Sequence, residues 1–148
     1  MFRSFQSGDV FWNLCQRTIS HLNAKHILVI GKSASDCGLK FDQKDICVTV
    51  YAKSIIENVN LHLNPFDLVI WDNQFSEIVE FELICMLLES NDQSPVFILA
   101  NINKHAASTD IWKKLASYST VYSTADLFYA GILFTGKKDL IGQHHFFW

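Results

Sequence analysis

The sequence has no excess of basic residues: twelve Lys and Arg stand against fifteen Asp and Glu, a formal net charge of -3 at pH 7. Clustered cations are what release counterions from nucleic acid, so no nucleic-acid partner is expected. A long hydrophobic run is also missing. The most apolar stretch, Ile78 to Leu88, is broken by Glu80 and Glu82 and is too short to cross a bilayer, so no membrane span is expected. Near the N-terminus Arg3 is followed by Ser4, Gln6, Ser7, Gly8 and Asp9, which leaves no apolar run for a secretion signal. The expected location is cytoplasmic, with free thiols. Cys15, Cys37, Cys47 and Cys85 form neither a CxxC pair nor a zinc-ribbon spacing and read as buried or inert thiols. The six histidines are dispersed apart from His144-His145, and no HExxH spacing offers converging metal ligands. A G-x-S-x-G nucleophile elbow is absent too, so no catalytic triad can be assigned.

What the sequence has in quantity is apolar residues, 49% of 148, against 18% charged. That composition belongs to a packed globular chain, and the length fits one domain spanning 1–148. Val10, Phe11, Leu14, Cys15, Ile19 and Leu22 share one face of a helix that Asp9 would cap. Ile27 to Ile30 is an unbroken aliphatic run, the pattern of a strand buried on both faces. Ile46 to Tyr51 repeats it, and Phe66 to Trp71 repeats it again behind Asn64-Pro65. A short helix is read over Lys53 to Leu61, and the clearest one over Ser76 to Glu89. Val96 to Ala100 is a fourth buried strand, followed by a helix near Thr109 to Tyr118 that Ser108 or Thr109 would cap. Thr120 to Tyr122 and Leu127 to Thr135 are strand-like.

Strand and helix patterns thus alternate from residue 10 to about residue 122. A mostly parallel sheet covered on both faces follows, a Rossmann-like three-layer α/β sandwich with room for an antiparallel strand at the C-terminal end. His26-Ile-Leu-Val-Ile-Gly31-Lys-Ser-Ala-Ser-Asp-Cys-Gly38 runs an apolar strand straight into a small-residue turn, where such folds hold a nucleotide. With the strand Cys47 to Tyr51, then Phe66-Asp67-Leu-Val-Ile-Trp-Asp72-Asn73, then Pro95 to Asn101, the order of parts resembles class I S-adenosylmethionine-dependent methyltransferases. The aromatic-ended tail is similar to short bacterial methyltransferase-like proteins.

The resemblance implies a first turn of the form G-x-G-x-G, in which successive glycines let the backbone approach the cofactor. Gly31 fills the first place, Ser33 and Ser35 replace the next two, and Gly38 comes later. It also implies an acidic ribose acceptor after the second strand, where this chain reads Val50-Tyr51-Ala52-Lys53. Asp72 and Asn73 are the remaining polar pair at a strand end, either contacting cofactor and substrate or opening an Asx-turn into the Ser76 helix. The candidate cofactor-binding residues are therefore Gly31, Ser33, Ser35, Asp72 and Asn73, with no catalytic residue and no metal ligand assigned.

These departures favour a methyltransferase-like domain without efficient catalysis, a binding or scaffold module that needs no cofactor. The alternative is an S-adenosylmethionine-dependent methyltransferase in which Asn73 lies near the reacting group. A third reading, an atypical receiver with Asp72 as phosphoacceptor, lacks the acidic Mg²⁺ ligands after its first strand, since Gly31-Lys32 stands there and Asp36 is displaced. Gly31-Lys32-Ser33 also imitates the end of a P-loop, but His26 occupies the position of its first glycine. Phe146-Phe147-Trp148 either closes the core or serves a protein partner or homodimer contact.

Overall fold

The computed structural model describes residues 7–31, 47–51, 66–72, 78–89 and 95–136. In chain order they form α1 (Ser7–Leu22), β1 (His26–Ile30), β2 (Cys47–Tyr51), β3 (Leu68–Trp71), α2 (Ile78–Glu89), β4 (Val96–Ala100), α3 (Ala106–Ala116), β5 (Val121–Asp126) and β6 (Ala130–Thr135). The expected helix over Lys53 to Leu61, the crossover after Lys32 and the aromatic tail lie outside the described residues.

The six strands form one sheet in the order β2-β1-β3-β4-β6-β5. The pairs β1–β2, β1–β3 and β3–β4 are parallel. β6 runs antiparallel to both β4 and β5, as the expected C-terminal reversal requires.

The aliphatic runs are unbroken because helices cover both faces. From β1, Leu28 and Ile30 join Val69, Trp71, Phe97, Leu99 and Leu133 beneath Leu83, Ile84, Leu87 and Leu88 of α2 and Trp112 and Leu115 of α3. The alternate residues, Ile27 and Val29, join Leu68, Ile70, Ile98 and Ile132 on the opposite face, against Phe11, Leu14, Cys15 and Ile19 of α1. This period-two division is what a pleated strand imposes, and it builds the three-layer sandwich. Trp71 and Phe97 are the bulkiest fully buried side chains, so truncating either to Ala costs about 3–5 kcal/mol.

At the amino end of the sheet Asp67 ties β1 to β3. Its Oδ2 accepts the backbone N–H of Lys25 at 2.8 Å and of His26 at 3.0 Å. The Asp67 N–H in turn donates to the His26 carbonyl at 2.8 Å. One residue thus fixes which positions of β1 and β3 stand level.

Several expected boundaries shift. α1 starts at Ser7, which places Asp9 within its first turn instead of at the cap. α3 starts three residues earlier than its apolar spacing suggests, at Ala106 with His105 as N-cap. Neither Ser108 nor Thr109 is the cap. The His105 N–H donates to Ser108 Oγ at 2.8 Å and the Ser108 hydroxyl donates to the His105 carbonyl at 2.6 Å, so Ser108 closes the first turn from inside the helix. The strand expected from Leu127 begins at Ala130, because residues 127–129 form the tip of the β5–β6 hairpin.

Candidate functional site

In open α/β sheets a ligand crevice forms beyond the carboxyl ends of the strands where the chain reverses its direction of travel across the sheet. Here the chain leaves β1 for β2 on one side and then returns to β3 on the other, so the reversal falls between β1 and β3. Ile30 and Trp71 are register partners, which puts Gly31 and Asp72 side by side at that point. The Asp72 N–H donates to the Ile30 carbonyl at 2.9 Å and extends the ladder by one bond.

Gly31 is required there by the backbone. Its φ of +137° is one that residues with a Cβ rarely adopt. A Cβ would also lie 2.4 Å from the Asp72 carbonyl oxygen and 3.1 Å from the Asp72 Cβ. The two strand ends therefore meet without a side chain between them. Asp72 is half-buried, and that burial pushes its carboxyl above the usual carboxylate range by penalising the charged form. A cation reaching this carboxylate would relieve the penalty.

Of the sequence-derived candidates, Gly31 and Asp72 are brought together at the reversal point, while Ser33, Ser35 and Asn73 lie outside the described residues. At β2 the last residue, Tyr51, stands level with Ile30, and the chain continues as Ala52-Lys53. The end of that strand carries no acidic residue for ribose hydroxyls. The β1 and β3 ends thus bring a bare backbone at Gly31 beside a half-buried carboxylate at Asp72.

A further feature of the same edge escapes the sequence. Trp71 pairs with Leu99, and Ala100 pairs with Ala130, so the β5–β6 hairpin tip rises at the same carboxyl edge as Gly31 and Asp72. The Tyr129 N–H donates to the Leu127 carbonyl at 2.9 Å, which closes a γ-turn centred on Phe128 with φ +72°. A γ-turn with a positive central φ is the rare, strained form. Side-chain bonds hold it: the Phe128 N–H donates to Asp126 Oδ1 at 2.8 Å, and Asn103 Nδ2 donates to the Phe128 carbonyl at 2.9 Å. Asn101, itself at φ +59°, donates its N–H to the Tyr129 carbonyl at 2.9 Å and joins the tip to the end of β4. The available sequence signal was Asp126 two residues before Phe128, the spacing of an Asx-turn, hidden within an apolar run.

Among the described residues no group of three or more His, Cys, Asp or Glu could hold a metal ion. No described helix is long and apolar enough to cross a membrane.

No family model and no curated protein matches the sequence. Solved structures do match the fold. A Staphylococcus aureus protein assigned as a caffeoyl-CoA O-methyltransferase superposes with a TM-score of 0.66 at 15% identity, covering 86% of this chain and 83% of its own. A Klebsiella pneumoniae protein assigned as an O-methyltransferase gives 0.60 at 10% identity, covering 93% and 84%. The O-methyltransferase TomG from Streptomyces achromogenes, solved in complex with SAM, gives 0.55 at 16% identity, covering 91% and 82%. At such identities the likeness is one of fold: this chain has the methyltransferase-like Rossmann fold.

Proposed function

We propose that this methyltransferase-like domain binds S-adenosylmethionine or a close analogue at the β1–β3 reversal point and belongs functionally with the methyl-transferring enzymes of its fold. The observation that carries the reading is the meeting of a side-chain-free backbone at Gly31 with the half-buried carboxylate of Asp72 at that point. S-adenosylmethionine, when bound, supplies an electrophilic methyl group on a sulfonium. Gly31 would give the ligand a bare backbone to lie against, and Asp72 would pair with its cationic ammonium. Ser33 and Ser35 would line the turn, and Asn73 would stand toward the acceptor. O-methyltransferases of the same fold, one of them solved with SAM, support the choice of ligand.

A second reading, a binding or scaffold module without efficient catalysis, is favoured by the end of β2. A missing hydrogen bond to a charged acceptor costs about 1.5–3 kcal/mol, or roughly tenfold to a hundredfold in affinity. On this reading the C-terminal aromatics Phe146 to Trp148 would serve a protein partner.

Calorimetric titration with S-adenosylmethionine and S-adenosylhomocysteine separates the two. Saturable binding that weakens in Asp72→Asn supports the first reading; a flat titration at high ligand concentration sinks it and leaves the scaffold.

A further inference from the structure

We infer that the outer face of the α2–α3 layer is a contact between two copies of this chain, with α2 of each copy lying over α3 of the other. Two contacts tie α2 to α3 along that face. The Lys114 Nζ lies 5.5 Å from the centre of the Phe81 ring, and the Tyr118 phenol is hydrogen-bonded with Cys85 one turn further along both helices. The helices therefore run in the same direction, with Phe81 level with Lys114 and Cys85 level with Tyr118. Phe81, Cys85, Met86, Ile111 and Tyr118 are only half-buried against the core, so the layer is apolar and partly open.

The two helices carry opposite charge. α2 holds Glu80, Glu82 and Glu89 and no base. α3 holds Lys113 and Lys114 in its last turn, and its one acid, Asp110, lies a turn earlier, short of the level at which α2 begins. Glu82, Glu89, Lys113 and Lys114 are exposed, and none of the four is in an ion pair among the described residues. A partner of a single sign would be repelled by one of the two helices. A second copy turned about an axis along the helices meets neither repulsion: its α2 covers α3, its α3 covers α2, and the levels are kept. Glu82 of each copy then stands near the level of Lys113 and Lys114 of the other. Turned about the perpendicular axis, the copy would lay α2 on α2 and acid on acid. The favoured axis also preserves the direction of the strands, so the Gly31–Asp72 ends of both sheets open on the same side of the pair.

The test is sedimentation equilibrium of the full chain at micromolar concentration, which is expected to give twice the monomer mass of 17.0 kDa. One variant combines Glu82→Lys with Glu89→Lys, and a second combines Lys113→Glu with Lys114→Glu. All four side chains are exposed, so both variants are expected to fold, with the circular dichroism of the parent. Each alone sets like charges opposite one another and is expected to weaken self-association about tenfold or more. Mixing the two in equal amounts is expected to restore the dimer, because each reversed helix then faces its opposite in the other variant. A structural defect in either variant would not be repaired by mixing. A monomeric parent, a variant that pairs as the parent does, or a mixture that stays monomeric overturns the inference. A parent dimer that survives both reversals is held by another face and overturns it equally.

Discussion

Replacing Gly31 with Ala adds one carbon and tests the closest contact at the candidate site. Two costs add. A Cβ at φ +137° is strained whatever surrounds it, at about 1–3 kcal/mol. The same carbon would sit 2.4 Å from the Asp72 carbonyl oxygen, which is backbone and cannot rotate away, so β1 and β3 must separate at their carboxyl ends. Overpacking of this type costs about 1–3 kcal/mol. The sum, about 2–6 kcal/mol, is a large part of the 5–15 kcal/mol typical of a whole domain. Urea unfolding followed by tryptophan fluorescence reads it directly. With a slope of about 2 kcal/mol per M, the midpoint is expected to fall by about 1–3 M. A midpoint within about 0.3 M of the parent, with an unchanged slope, would show that the strand ends are not packed as described.

Gly131 supplies a contrast, because a Cβ there would lie 2.5 Å from the Trp112 ring, which is side chain and can yield. Gly131→Ala should cost about 1–3 kcal/mol, and adding Trp112→Leu should cost less than the two changes summed; strict additivity in urea unfolding would refute the contact. Asp72→Asn should raise the melting temperature at neutral pH. The fold holds the Asp72 carboxyl above its usual value of 3.8, so the contribution of this group is intact below that value and lost as pH rises through the raised one. The gain from Asn should therefore vanish in acid, and destabilisation at neutral pH would mean that the carboxylate already has a cationic partner. The Tyr118 phenol is pushed up to about 12, first by its hydrogen bond with Cys85, then by burial and by the nearby charges of Cys85 and Glu89. Its contribution to stability should be full below 10.0 and lost through about 12, and ultraviolet titration of Cys85→Ala should show the tyrosine ionising at lower pH.

Much of this architecture was legible because buried parallel strands need continuous aliphatic runs, and β1, β3 and β4 consist of little else. Gly31 and Asp72 were legible for the same reason: each is the first interruption after such a run. The hairpin was harder. Leu127, Phe128 and Tyr129 continue the apolar pattern of β6 into a turn, and the bonds that bend them come from Asp126 and from Asn103, a residue twenty-five positions before Phe128. No local pattern carries a partner that distant. The start of α3 is hidden from the sequence because its first turn is Ala106, Ala107 and Ser108, which shows no apolar stripe, and because His105 is not a usual cap residue. Ser33, Ser35 and Asn73 rest on the sequence reading alone.

The clasp at Asp67 bears on how such a site changes over time. Three hydrogen bonds at the amino rim, two from the Lys25 and His26 N–H groups to the Asp67 carboxylate and one from the Asp67 N–H to the His26 carbonyl, hold the alignment of β1 with β3, and a slip of one residue would turn every side chain of a strand to the opposite face. The alignment of Gly31 with Asp72 is therefore held from the opposite, amino end of the sheet. A related sequence that keeps Asp67, Gly31 and the aliphatic runs of β1 and β3 should keep this strand register whatever residues follow Gly31 and Asp72.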